Sequence, residues 1–447
     1  MTYAEKSNRY KRTALLRFSH LAQTAALALL IFGCSDDKPL APASGPPGSS
    51  SAATDDDSQS PAADPAATPA EITLIEYPTD GVNARESESA LGDGLPSPFG
   101  YGASQKGTYL DLNSFPYDAI VSGGPPKDGI PALTNPVFIN PQFVEYLVPD
   151  DLVLGVVING EARAYPHNIG WWHEIVNDKI GGRSISVTFC PLTGTGLVFD
   201  ATSEDGRQFE LGVSGLLFNT NLILYDRRDG TTLYPQIAFK AVSGPRKGDT
   251  LELLPVIETT WETWQELYPR TRVIERGLYG IEAYTSYPYG EYRTDHQYLI
   301  FDVVIPLSAN NNPHATDFHS KERVLGVRLA GDPKAYPFSE MGERAVINDQ
   351  VGGVDIAVIW DQRRHLAIPY AREVDGRSLH FEFVDDEQFP FIGLRDRETQ
   401  TLWDVRGLAV EGELADQQLG QIPVHNSMWF AWVTFWQNTE VWQAQAE

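Results

Sequence analysis

One pattern of residues occurs twice in this chain. The sequence LGVVINGEARAYP at residues 154–166 returns as LGVRLAGDPKAYP at residues 325–337, with identical residues at seven places. Further segments match in the same register, namely 176–182 with 347–353, 226–227 with 396–397, and 255–264 with 423–432. Because a solenoid needs three or more short repeats, two long copies indicate a duplicated unit that packs as a pair.

The two copies differ in their reactive side chains. In this alignment His173 lies opposite Arg344, and Cys190 lies opposite Asp361. The thiol and the imidazole therefore belong to the first copy alone. This difference directs the search for chemistry to the surroundings of His173 and Cys190.

The apolar pattern of each copy predicts strands joined by tight turns. Residues 152–158 and 162–165 flank Asn159-Gly160, a dipeptide typical of two-residue hairpins. Strands and helices do not alternate regularly along the chain, which disfavours a doubly wound parallel sheet. We predict an α+β fold, predominantly antiparallel β with short helices, in which two pseudo-repeated units pack together.

Three segments have the apolar spacing of short helices. Residues 168–176 show it in the first copy, directly before the second matched segment. Residues 260–267 and 428–435 each carry two tryptophans three positions apart, which places both rings on one helix face.

Composition divides the rest of the chain. Residues 35–71 are Pro-, Ala-, Ser- and Asp-rich with little apolar bulk, which predicts a disordered, extended tether. The predicted regions are a signal peptide at 1–34, the tether at 35–71, an irregular lead-in at 72–150, the first copy at 151–275, a connector at 276–320 and the second copy at 321–447.

The N-terminus has the features of a secretion signal. Basic residues precede an apolar run at 21–32, which is too short to span a bilayer. The run ends before Cys34 in a sequence that resembles the lipobox of bacterial lipoproteins. We predict lipidation of Cys34, since two acyl chains anchor a protein stably. The resemblance implies a cell-envelope location, at the outer membrane and facing the periplasm or the surface, because Ser35 follows the cysteine.

The net charge of -26 bears on the partners of the chain. Nucleic acid and anionic membrane surfaces both attract Lys and Arg, so we expect no nucleic-acid partner and membrane contact through the lipid anchor only. The remaining partners are an unknown small molecule, a metal or an envelope protein.

Several separated motifs together resemble one bacterial family. They are KDGIPA at 127–132, GEARAYP at 160–166, HEIVND at 173–178, CPLTGT at 190–195 and GVSGLL at 212–217. The chain resembles the family catalogued as domain of unknown function 3179, from about residue 120 to residue 442. The resemblance implies no particular activity. Many members resemble Cys-Pro-Leu-Cys-Gly-Thr in the fourth motif, where this chain has Thr193 in place of the second cysteine.

Cys190 is the first candidate for chemistry. A predicted strand delivers it to a small polar loop, and amide groups exposed beside a thiol would lower the thiol pKa. With Cys34 lipidated, Cys190 also has no partner for an intramolecular disulfide. The alternative is a buried, inert cysteine, which is common.

His173 is the second candidate, as the base for a Cys190 nucleophile or as a metal ligand. Cys190, His173 and His167 form the predicted metal set, and thiolate with imidazole favours copper or zinc. The His-Glu-x-x-Asn sequence from His173 lacks the second histidine of the zinc motif. A structural histidine is the alternative.

Other polar residues within the motifs are candidates for ligand binding. They are Asp128, Arg163, Asn177, Asn219, Asn221 and Gln236. Asn177 and Asp178 recur as Asn348 and Asp349, which also favours a structural turn. His425 replaces Ile257 in a matched segment and is a candidate to complete a site between the copies.

Three functions stay open at this point. The first is a lipoprotein that binds copper or zinc through Cys190 and His173. The second is a cysteine-dependent enzyme, in which Glu174, Asn177 or Asp178 orients the His173 base. The third is a non-catalytic binding or structural module.

Overall fold

Most of the described chain forms short strands. The computed structural model describes residues 115–203, 206–301, 303, 313–384 and 392–444. Within these ranges there are three α-helices, α1 His167–His173, α2 Trp261–Leu267 and α3 Trp429–Phe435. The prediction of a β-rich protein with short helices is confirmed. The predicted signal peptide, the tether and Cys34 lie outside the described residues.

The strands follow one another with short connections. Up to residue 274 they are β1 Val121–Ser122, β2 Leu133–Thr134, β3 Phe138–Ile139, β4 Leu152–Ile158, β5 Glu161–Pro166, β6 Ile175–Ile180, β7 Arg183–Cys190, β8 Thr195–Asp200, β9 Leu211–Phe218, β10 Asn221–Asp226, β11 Leu233–Pro235, β12 Leu253–Leu254, β13 Ile257–Thr260 and β14 Arg272–Ile274. From residue 323 they are β15 Arg323–Leu329, β16 Asp332–Pro337, β17 Arg344–Val351, β18 Val354–Asp361, β19 Leu366–Ala371, β20 Glu373–Val374, β21 Arg377–Ser378, β22 Phe381–Val384, β23 Gly393–Asp396, β24 Leu402–Asp404, β25 Ala409–Glu411, β26 His425–Met428 and β27 Glu440–Val441.

The sheets of the two copies share their strand orders. The order β13-β4-β5-β14 in the first copy corresponds to β26-β15-β16-β27 in the second. In both, the last pairing is parallel and the others are antiparallel. The antiparallel order β6-β7-β8 corresponds to β17-β18-β19, and the order β9-β10-β11 corresponds to β22-β23-β24. Each of these last two sheets has one further strand, β1 beside β9 and β25 beside β24. The hairpin predicted around Asn159-Gly160 joins β4 to β5 as expected.

A glycine and a tryptophan make the same contact in each copy. A Cβ on Gly155 would lie 2.2 Å from a ring atom of Trp264, and a Cβ on Gly326 would lie 2.1 Å from a ring atom of Trp432. Only a glycine lets the strand approach the helix so closely. This contact explains why the matched segments keep both the glycine and the tryptophan.

The cores of the two copies are interlocked. One apolar cluster joins residues 190–251 of the first copy to the α3 segment of the second, including Leu211, Phe218 and Trp429. Another joins β4 and α2 of the first copy to the sheets of the second, including Trp264 and Trp403. Each copy therefore completes its hydrophobic core with the strand-and-helix layer of the other.

Backbone hydrogen bonds repeat this reciprocal arrangement. Met428 N, at the end of β26, donates to Thr193 O at 2.8 Å. Thr260 N, at the end of β13, donates to Arg364 O at 3.3 Å. Thr193 and Arg364 hold equivalent places in the alignment, so each copy contacts the loop after the second hairpin strand of the other.

Candidate functional site

The first-copy site is built at the junction of α1, β6 and β7. Helix α1 ends at His173, β6 begins at Ile175, and Cys190 is the last residue of β7. Glu174 connects the helix to the strand in a left-handed conformation, with φ 56° and ψ -29°. A left-handed glutamate is uncommon and marks a strained position held by its surroundings.

His173 has a partner at each ring nitrogen. Its Nδ1 lies 2.8 Å from Pro131 O, and its Nε2 lies 2.8 Å from Tyr284 Oη. The ring also stacks on Tyr279, with 5.3 Å between centroids. Burial lowers the pKa of His173 to about 4, so the imidazole is neutral at neutral pH. Both nitrogens are engaged by the protein, and neither by Cys190.

Cys190 is in an environment that keeps its thiol protonated. The residue is 1% exposed, and its Sγ lies 3.8 Å from Thr220 O. Burial raises the pKa of Cys190 to about 11, and the charge of Glu174 adds to the shift. This direction is the opposite of the lowered pKa expected from the sequence.

The loop after Cys190 is buried and does not face solvent. Residues 191–199 are buried, and the carbonyl groups of the loop are taken up by other segments. Tyr287 Oη donates to Pro191 O at 3.3 Å, and Tyr292 Oη donates to Leu192 O at 2.8 Å. The connector tyrosines thus close the loop that the sequence predicted to be exposed.

Two polar residues at this site lack a hydrogen-bond partner among the described residues, namely Glu174 and, at its Nε2, His167. Glu174 is 7% exposed, and among the described residues no hydrogen bond reaches its carboxyl group. Burial raises the pKa of Glu174 to about 8, so the carboxyl is protonated at neutral pH. The side chain lines a small cavity, whose other walls are Leu154, Tyr165, Pro166, His167, Ile169, Gly170, Val176, Val187 and Phe189.

Three of the predicted ligand-binding residues lie near the Cys190 loop, and two of them belong to a saturated hydrogen-bond network. Asn221 Nδ2 donates to Thr193 Oγ1 at 3.1 Å and to Gln236 Oε1 at 2.8 Å. Gln236 Nε2 donates to Thr188 Oγ1 at 2.9 Å. Asn219 occupies the turn between β9 and β10, with φ 48°. The side-chain amides of Asn221 and Gln236 thus hold β7, β8 and β10 together.

Asn177 and Asp178 make contacts within the fold. Asn177 Oδ1 accepts from Leu211 N at 3.0 Å, and its Nδ2 donates to Leu211 O at 2.9 Å. Asp178 Oδ2 accepts from Arg163 at 2.6 Å and from Tyr165 at 2.7 Å. Both side chains lie on β6 and bridge to neighbouring strands, so they do not form the turn that the sequence suggested.

Arg163 and Asp128 also have protein partners. Arg163 lies between Asp178 and Glu161, with nitrogen–oxygen distances of 2.6 and 2.5 Å. Asp128 Oδ2 accepts from Tyr225 Oη at 2.6 Å. The guanidinium of Arg163 is therefore already paired with two carboxylates.

A buried charge cluster lies where the copies meet, and sequence reasoning missed it. Glu258 Oε1 lies 2.7 Å from Arg323 Nη2 and 3.3 Å from His365 Nε2. Glu258 Oε2 lies 3.5 Å from His167 Nε2. Burial alone would raise the pKa of Glu258, but Arg323 and the histidines hold it well below its ordinary value. The available signal was a charged residue at position 258, where the other copy has Asn426, and at position 323, where the other copy has Leu152.

His425 borders this cluster. It is 5% exposed and packs on Trp432, with 5.3 Å between ring centroids. Its Nε2 has no hydrogen-bond partner among the described residues. Burial lowers the pKa of His425 to about 3, and Arg323 contributes in the same direction.

The predicted metal ligands are not brought together. His167 contacts Glu258 and packs against Phe189 with tilted rings, whereas His173 contacts Pro131 and Tyr284. In the part of the chain that the structure describes, no group of three or more His, Cys, Asp or Glu side chains is arranged to hold a metal ion.

The family model described as protein of unknown function DUF3179 matches residues 127–439. The chain belongs to this family. Neither the comparison with curated proteins nor the comparison with solved structures finds a match. The three described helices are too short to cross a bilayer, and no other helix of the described ranges is long and apolar enough.

Proposed function

We propose that this chain is an envelope-anchored binding module made of two copies of one unit, with its ligand pocket beside Glu174 in the first copy. The repeated sequence segments and the shared strand orders support the duplication. The confinement of Glu174 and His167 to one copy supports a specialised role for that copy.

The observation that carries the proposal is the unpartnered carboxyl of Glu174. An enclosed polar group without a hydrogen bond costs up to about 1–3 kcal/mol of stability, and the Glu174 oxygens, which keep slight contact with solvent-sized space, recover this cost by donating to a bound acceptor. At the equivalent places the second copy has Ala345 for Glu174 and Phe338 for His167. The first copy alone thus combines a cavity with a polar group directed into it.

The charge state of the site indicates the class of ligand. At neutral pH the carboxyl of Glu174, the thiol of Cys190 and the imidazole of His173 are all uncharged. A protonated carboxyl donates a hydrogen bond, and the other cavity walls are mainly apolar. The site therefore suits a neutral hydrogen-bond acceptor. The cavity volume is about 10 Å³, which is room for about one water molecule, so a larger ligand requires the cavity walls to move apart.

The test replaces Glu174 by methionine, which keeps the volume and removes the polar group. If the carboxyl serves a ligand, Glu174→Met is as stable as the wild type or more stable by about 1–3 kcal/mol. The matched control is Glu322→Met. Glu322 is also buried, but it accepts from Ser339 N at 2.9 Å and lies 3.0 Å from His319. We expect this control to lose about 1–3 kcal/mol. Urea unfolding of both variants gives the comparison.

The pH dependence of Glu174→Met provides a second readout. The pKa of Glu174 is raised from 4.5 to about 8 in the fold, so the wild type is most stable with respect to this group below about pH 4.5 and loses stability as the pH rises to about 8. This loss should be absent in Glu174→Met. A variant that is less stable than the wild type throughout would assign Glu174 a structural role and end the proposal.

Ligand binding is tested on the purified full-length protein. Small molecules released by denaturation are measured by mass spectrometry for the wild type and for Glu174→Met. We expect a neutral compound that is present with the wild type and missing with the variant. An empty wild-type protein, or the same compound from both, would contradict a pocket at Glu174.

The copper or zinc site and the cysteine-dependent enzyme stay predictions. Elemental analysis of the wild type and of Cys190→Ser tests the first, and alkylation of Cys190 across a pH series tests the second. Since the thiol is protonated and the imidazole is engaged elsewhere, the contacts of Cys190 and His173 favour neither over a binding module.

The lipid anchor at Cys34 is part of the proposal and has its own test. Cys34→Ala should move the protein from the membrane fraction to the soluble fraction, because a protein without acyl chains lacks their affinity for the membrane. Retention of the variant in the membrane fraction would contradict anchoring through this residue.

A further inference from the structure

Arg323 connects three segments of the chain. It is the first residue of β15 in the second copy, and its guanidinium Nη1 donates to Gly194 O in the loop after Cys190. Its Nη2 donates to Glu258 Oε1 on β13 at 2.7 Å. One side chain of the second copy thus links two elements of the first.

The approach of Arg323 to the loop is close. Gly194 has φ +61°, and a Cβ at this residue would lie 2.3 Å from Nη1 of Arg323. A larger residue would therefore displace the guanidinium and would also be strained in this backbone conformation. Gly194 is required both for the turn and for the contact.

Other groups of the second copy hold the same loop. Met428 N donates to Thr193 O, and Thr195 Oγ1 donates to Ser427 Oγ at 3.3 Å. These contacts come from β26, whereas Arg323 provides the only charged group of the second copy that hydrogen-bonds the described loop residues 191–195.

Among the described contacts, the reciprocal loop of the second copy has no guanidinium clamp, and its charged contacts with the first copy include His365 Nε2 to Glu258 Oε1 at 3.3 Å. At the place equivalent to Arg323 the first copy has Leu152, and His365 occupies the place of Gly194. The backbone contact from Thr260 to Arg364 is kept. The guanidinium clamp is therefore specific to the loop that follows the thiol.

We propose that Arg323 is a positioning residue of the second copy, which holds residues 191–195 closed over Cys190. The ion pair with the buried Glu258 holds the Arg323 guanidinium in place. The guanidinium in turn holds the carbonyl group of Gly194 by a hydrogen bond. Loss of Arg323 removes this anchor and leaves Glu258 without its strongest partner, so the loop opens more often. The second copy thereby controls access to the thiol of the first.

The experiment measures alkylation of Cys190 by iodoacetamide in the native full-length protein, followed by mass spectrometry. The variant Arg323→Leu introduces the residue found at position 152. We expect its alkylation rate to rise by about tenfold or more, because local opening governs access to a buried thiol. Arg323→Lys should give an intermediate rate, since a single ammonium cannot replace both arms of a guanidinium.

The matched control is Arg372→Leu. Arg372 is a buried arginine of the second copy that donates to Ile356 O and Leu379 O, and it makes no contact with residues 191–195 among its described bonds. Its loss should lower global stability without a specific effect on Cys190. Equal alkylation rates in the two leucine variants would assign the effect to global unfolding and overturn the proposal.

A second variant covers the case in which Arg323→Leu does not fold. Gly194→Ala leaves every charge in place but displaces the guanidinium from the loop. We expect the same rise in Cys190 alkylation. A folded Gly194→Ala protein with a wild-type alkylation rate would also overturn the positioning role of Arg323.

Discussion

The two copies use the same contacts to hold the same strands. Asn177 bonds both backbone groups of Leu211, and Asn348 bonds both backbone groups of Phe381, at 2.8–3.0 Å. Asp178 accepts from Tyr165, and its counterpart on β17 accepts from Tyr336 in the same way. The shared residues of the repeat are therefore explained by packing.

The copies differ at the start of the equivalent strands β6 and β17. In the second copy Arg344 begins β17 directly opposite Asp361, and their side chains approach to 3.7 Å. In the first copy α1 and the left-handed Glu174 precede β6, and His173 turns to Pro131 and Tyr284. Equivalent alignment positions thus do not imply equivalent contacts, because the preceding backbone decides where a side chain points.

The largest expected effect concerns the two asparagines that bond a neighbouring strand, Asn177 in the first copy and Asn348 in the second. Asn177→Ala leaves both backbone groups of the buried Leu211 unpaired and removes the acceptor of Ser186 Oγ, at a cost of about 3–5 kcal/mol. Asn348 is partly exposed, so water can replace its bonds, and Asn348→Ala should cost about 1 kcal/mol. Urea unfolding measures both. Equal losses would mean that burial does not distinguish the two asparagines.

A smaller effect concerns the pH dependence of stability that His425 of the second copy causes. The pKa of His425 is lowered from 6.5 to about 3, so the unfolded chain binds the proton more readily. The folded protein is therefore fully stable with respect to this group above about pH 6.5 and loses stability as the pH falls below that value. His425→Ile introduces the residue found at position 257 and should retain about 1–3 kcal/mol more than the wild type at about pH 4. His173 titrates in the same direction in both proteins. Parallel pH curves for the two proteins would rule out His425 as a source of acid sensitivity.

The smallest effect concerns the matched hairpin turns. Asn159 has φ 49° and donates to Gly181 O at 2.8 Å, whereas Ala330 has φ 48° at the equivalent place. Asparagine tolerates this left-handed conformation better than alanine. Ala330→Asn should raise the free energy of unfolding by about 0.5–1 kcal/mol. Asn159→Ala is the matched control and should lower it, and a loss in both variants would show that the turns are not interchangeable.

The sequence predicted local structure well where one rule dominated. Asn159-Gly160 forms its hairpin, and α2 and α3 begin one residue after the predicted helix starts. The predicted helix at 168–176 instead ends at His173, since Glu174 turns left-handed and Ile175 begins a strand. The interlocked cores could not be predicted from the sequence. Both copies carry the same apolar pattern, so the same residues would be buried whether a copy completed its core with its own helix or with the helix of the other copy.

The candidate site was predicted less well than the fold. The sequence located the distinctive residues in the first copy, and Cys190 and Glu174 do lie at one junction. It did not reveal that His173 turns away, since this depends on one backbone angle at Glu174. It also missed the pairing of Glu258 with Arg323, because partners contributed by different copies leave no local spacing to recognise.

The exchange of α3 between the copies has a consequence for the order of folding. Residues 428–436 belong to the second copy, yet they cover apolar residues of β9 and β10 in the first copy. During synthesis the first copy therefore keeps part of its interior uncovered until α3 of the second copy has emerged. Protection of the first copy against aggregation and proteolysis thus depends on residues that are made more than a hundred and fifty positions later.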